Sequence, residues 1–164
     1  MTKYVWPFAL TCMGVLLGIA LLCIAPFVAV GTFAVRTLSL RAALAVVGAM
    51  WLAGQVIGFA FFHYPHHAST YILALSIGVA ALAATLVAGR IRVTALAFLA
   101  AFAVYELVLY AFSLVAGGRE EFGAAILAEM LEGNLLGVAI IGLIRLVLVR
   151  SSAAFGPRGS TRPV

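Results

Sequence analysis

Five long apolar stretches, at about residues 6–30, 41–62, 70–88, 93–115 and 122–149, take up most of this chain, and its basic side chains sit in or beside the gaps between them. Lipid offers no hydrogen bonds to a backbone, so a chain that crosses it must form helices or a closed barrel. Stretches of about 20 residues or more suit helices, whereas a barrel strand needs only about 10. With a mean hydropathy of +1.23 and 9% charged residues, the chain is unlike a soluble domain, which carries about 25% charged residues. The fold class predicted is all-α: a polytopic integral membrane protein, a compact bundle of five transmembrane helices over residues 1–150 with a flexible basic cytoplasmic tail at 151–164.

The basic residues set an expected orientation. Alternating the gaps between two faces puts Arg36, Arg41, Arg90, Arg92, Arg145, Arg150, Arg158 and Arg162 on one face and only Lys3 and Arg119 on the other. Basic loops resist translocation, so the crowded face is expected to be cytoplasmic, with the N-terminus out, the C-terminus in and the cell membrane as the location. Tyr4, Trp6, Tyr64, Tyr71 and Tyr110 then fall near the outer interface. Basic residues that flank apolar spans singly or in pairs point to lipid headgroups rather than nucleic acid.

The ends of the stretches carry helix punctuation. Pro7 suits a first helical turn. Pro26 should kink or end the first helix, leaving residues 27–35 partly at the interface. Pro65 closes the second stretch, Gly89 and Arg90 the third, and Gly117-Gly118 the fourth. The fifth is longer than a bilayer requires and should tilt or bend near Gly133. Gly14/Gly18, Gly54/Gly58 and Gly133/Gly137, each four apart, allow close helix approach. The run 8–30 exceeds the apolar core of a signal peptide, so no cleavage is expected. Cys12 and Cys23, eleven positions apart, would lie roughly 16 Å apart along one helix, too far to bond to each other.

Polar groups inside apolar stretches are the functional candidates, because an ionisable group in a span is costly. By depth, Trp51 and Gln55 on the second helix, Tyr105 and Glu106 on the fourth, and Glu129, Glu132 and Asn134 on the fifth converge in the outer half. They are expected to form an acidic, aromatic pocket for a cation, an amine or a planar heterocycle. His63, His66 and His67 match no standard metal signature, and neither a metal nor another cofactor is assigned. No nucleophile–base constellation marks an enzyme.

The leading expectation is therefore a small-solute transporter, or the substrate-capture subunit of a multi-component uptake system. In size and in the outward-facing position of its site, the chain resembles the compact vitamin- and metal-capture subunits of energy-coupling transporters. Five spans would depart from the six usual there. The absence of a phosphate-binding glycine loop means that ATP-driven uptake would need partner subunits. The alternative is a non-catalytic accessory or assembly subunit, packed in a larger membrane complex or a homo-oligomer, in which Glu106 and Gln55 join helices together.

Overall fold

The computed structural model describes residues 2–20, 26–116 and 123–154. These form six helices and no strand: α1 (Thr2–Ala20), α2 (Phe27–Thr37), α3 (Leu40–Ala60), α4 (Ala68–Arg90), α5 (Thr94–Ala116) and α6 (Ala124–Ala154). Helices α3, α4, α5 and α6 are long and apolar enough to cross a membrane, while α1 and α2 contain shorter apolar helices. The first predicted span is thus two helices rather than one.

The second of them is the core of the molecule. Phe27 to Thr32 and Ala34 are all buried, and α2 packs against each of the other five helices. This corrects the expectation of an interfacial segment. Small side chains make the burial possible. Ala29, Gly31 and Ala34 on α2, Ala81, Ala84, Thr85 and Ala88 on α4, and Ala97 and Ala101 on α5 are all buried, and α2 comes closest to α4 where Gly31 meets Thr85 and to α6 where Ala29 meets Gly137. A Cβ on Gly31 would lie 2.5 Å from Thr85 Oγ1, and that hydroxyl already donates to Ala81 O.

Cross-contacts give each helix its direction. Trp6 Nε1 donates to Thr37 Oγ1 at 2.9 Å, so the start of α1 lies beside the end of α2. A Cβ on Gly89 would lie 3.1 Å from Leu40 and 3.7 Å from Val35, which places the end of α4 at the same level. Gly142 on α6 lies beside Phe33, and Arg36 donates to Ile91 O in the turn between α4 and α5. Every basic residue of the described helices and turns, namely Lys3, Arg36, Arg41, Arg90, Arg92, Arg145 and Arg150, therefore sits at one end of the bundle.

This arrangement corrects the expected N-terminus-out, C-terminus-in topology, because the first and last described helices start and finish at the same end. Splitting the first stretch adds one reversal of direction, and Lys3 joins the basic end. Tyr4 and Trp6 go with it, away from Tyr64, Tyr71 and Tyr110. Helix α6 runs unbroken through Gly133 and on to Ala154, four residues into the predicted tail. The rest of that tail, with Arg158 and Arg162, lies outside the described residues, as does Arg119.

Candidate functional site: a cavity above a half-length helix

Eleven residues at about 1.5 Å each make α2 roughly 16 Å long, against roughly 34 Å for the 23 residues of α4. The short helix fills the centre of the bundle only in the basic half. Its depth is set by Asn134 on α6, whose Oδ1 accepts from Val28 N at 3.1 Å and Ala29 N at 3.2 Å while its Nδ2 donates to Met130 O at 2.9 Å. The first turn of a helix has amides with no partner within the helix, and in a buried helix another element must accept from them. Pro26, just before α2, has no N–H to satisfy and packs against Gly137 of α6.

Past this capped end, the surrounding helices continue without a core. The space left is a cavity of about 590 Å³ at the end opposite the basic residues. Phe27 forms its floor. Gly14 and Gly18 of α1, Gly54 and Gln55 of α3, Ser69, Thr70, Leu73 and Ser76 of α4, and Leu109, Phe112 and Ser113 of α5 contribute to its walls. Phe62, Tyr64 and Pro65 from the α3–α4 loop form the rim.

That loop folds back tightly. Tyr64 N donates to Gly58 O at 3.2 Å, His63 takes a left-handed φ of 53°, and the Tyr64 ring occupies the place a Cβ on Gly58 would need. Phe59 stacks on both His66 and Tyr71, and His66 Nδ1 pairs with the Tyr71 hydroxyl at 2.7 Å. Of the three histidines, all exposed, His66 is thus held beside the rim by aromatic packing. Among the described residues, no group of three or more His, Cys, Asp or Glu is placed to hold a metal ion.

The lining is mostly apolar, and among the described residues it has no ionisable group apart from the Tyr64 phenol. Ser76 Oγ donates to Leu73 O at 2.8 Å and Ser113 Oγ to Tyr110 O at 2.7 Å. With their protons committed, these hydroxyls have only acceptor capacity left. Gln55 adds a carboxamide, with two N–H donors and an acceptor oxygen.

Of the seven side chains expected to converge, only Gln55 lines this cavity. Trp51 packs against Gly78 and donates through Nε1 to Ala74 O at 2.8 Å, joining α3 to α4. Tyr105 is buried below the floor, its ring 6.4 Å from that of Phe27. Glu106 has both carboxylate oxygens buried with no hydrogen-bond partner. Glu129 and Glu132 are exposed on α6, and Asn134 serves as the cap of α2. The serines and the small residues that make room were missed as site residues. Single hydroxyls and glycines in apolar stretches look the same whether they face a cavity, a neighbouring helix or lipid.

Comparison with known proteins finds no matching family model, no matching curated protein and no matching solved structure.

Proposed function

We propose that this chain is a membrane protein that captures a small, neutral solute in the cavity above α2, as a transporter or as the capture subunit of an uptake system. The observation that carries the reading is a cavity of about 590 Å³, bounded by helices and within the size range of small-molecule sites. The basic end would face the cytoplasm, since seven basic residues cluster there, and the cavity would then face outward across the cell membrane.

The lining narrows the ligand class. A cation or protonated amine would find no counter-charge in it, whereas a neutral planar heterocycle could slide between apolar walls. Its N–H groups would meet the serine lone pairs, and its carbonyl or ring nitrogen the Gln55 carboxamide. The six described helices, the first starting and the last finishing at one end of the bundle, also bring the architecture nearer to the six-helix capture subunits it resembles, although α2 reaches only halfway through the bundle.

The test is a thermal-unfolding screen of the purified protein against neutral heterocycles and against permanently charged amines. A neutral ligand at one hundred times its Kd should add about 2.7 kcal/mol of stability. Gln55→Leu should abolish most of that gain. Stabilisation by charged amines alone would contradict the reading.

A further inference from the structure

The cavity leaves the most costly side chain in the molecule unused. Glu106 lies twelve residues beyond Thr94, about 18 Å up α5 from the basic end, within a helix long and apolar enough to cross a membrane. Both of its oxygens are shut away from solvent and neither has a hydrogen-bond partner. A role in joining helices would need such a partner. A carboxylate charge is costly there without a countercharge, so the position is a place where a proton can be held and released.

No such countercharge comes from the elements packed on α5. Helix α4 offers Tyr71, paired with His66 at the rim, and Arg90 at the basic end; α2 offers Arg36, also at the basic end. On α5 itself the titratable neighbours are the phenols of Tyr105 and Tyr110, and on α6 Glu129 and Glu132 are exposed. Glu106 nonetheless has neighbours along α5 that reach the cavity or its floor. Tyr105, adjacent in sequence, faces the Phe27 floor, and Leu109, three residues on, is part of the wall.

We propose that Glu106 is an intramembrane proton-binding site whose exchange with water is coupled to occupancy of the cavity. The step is a simple protonation: when the packing around Glu106 opens towards the cavity, the carboxylate takes one proton from hydronium and later returns it to water, with no other bond made or broken. The coupling half rests on the cavity reading above; the proton site itself does not.

Dicyclohexylcarbodiimide, an apolar reagent that adds to protonated carboxyls in lipid, tests both halves on the full-length protein in vesicles, with the labelled residue read by mass spectrometry. Labelling is expected at Glu106 and not at the exposed Glu129 or Glu132, and it should vanish in Glu106→Gln. Its rate should fall about tenfold per pH unit once the carboxyl is mostly ionised. A Glu106 that stays unlabelled at every pH, or labels no faster than Glu129 and Glu132, overturns the proton site.

For the coupling, the cavity of a Gln55→Cys variant in a Cys12→Ser, Cys23→Ser background is filled with a bulky maleimide. The carbodiimide rate at Glu106 should then change about tenfold or more; an unchanged rate overturns the coupling. Failure of the Gln55→Cys thiol to take the maleimide would instead count against the cavity, with the labelling of Glu106 still to be judged on its own result.

Discussion

Asn134 shows how one side chain can fix an element it does not belong to. From sequence it is a polar group in an apolar stretch, indistinguishable from a ligand contact. In the fold its carboxamide takes up two amides of α2 and a carbonyl of its own helix. Asn134→Ala should therefore lower stability by about 1–3 kcal/mol, because two buried N–H groups lose their acceptor. Asn134→Asp, which keeps an acceptor at the positive end of a helix, should cost less. Unfolding in detergent measures both.

Glycines divide in the same way. A Cβ on Gly137 would lie 2.7 Å from Pro26 Cβ and 3.1 Å from Ala29 Cβ, two atoms held by backbone, so Gly137→Ala should cost about 1–3 kcal/mol. Gly48→Ala meets nothing within 4 Å and should be neutral or stabilising by up to about 1 kcal/mol. Equal losses at the two positions would contradict the packing described.

At the scale of elements, legibility followed punctuation. The predicted spans 41–62, 70–88 and 93–115 lie within about two residues of α3, α4 and α5, because arginine, proline and glycine mark where each leaves the apolar layer. The first stretch has no such mark except Pro26. Hydropathy measures how apolar a segment is, and a reversal of direction within an apolar segment leaves it unchanged. The missed turn hid the buried helix, moved the N-terminus to the wrong end and concealed the origin of the cavity.

Facing was illegible for a related reason. When nearly every residue is apolar, a helix has no polar side from which to read its orientation, so depth along the chain placed Trp51, Tyr105 and Glu106 at plausible levels but could not say what they face. Burial of α2 should show directly in hydrogen exchange. Amides from Val30 to Ala34 should be among the slowest in the molecule, although their helix is the shortest of the six described, because opening it exposes the centre of the bundle. A segment lying in the interface would exchange among the fastest.

For the whole molecule, the governing relation is between a short central helix and the longer helices around it. The half of the bundle that α2 fills is tightly packed and has the basic residues at its end; the half it leaves empty holds the cavity. Tags on the two termini should accordingly be accessible from the same side of the membrane, and a tag pair split across the bilayer would return the topology to an odd number of crossings.

The most direct measurement is thiol labelling in whole cells and in inverted vesicles, with a membrane-impermeant reagent and the Cys12→Ser, Cys23→Ser background. Single cysteines are placed at Gln55 in the cavity wall and at Arg90 at the basic end. The proposed orientation predicts that Gln55→Cys reacts from outside intact cells and Arg90→Cys only in inverted vesicles. Reaction of both from one side, or a Gln55→Cys that reacts from neither, would contradict an outward cavity above a half-length helix.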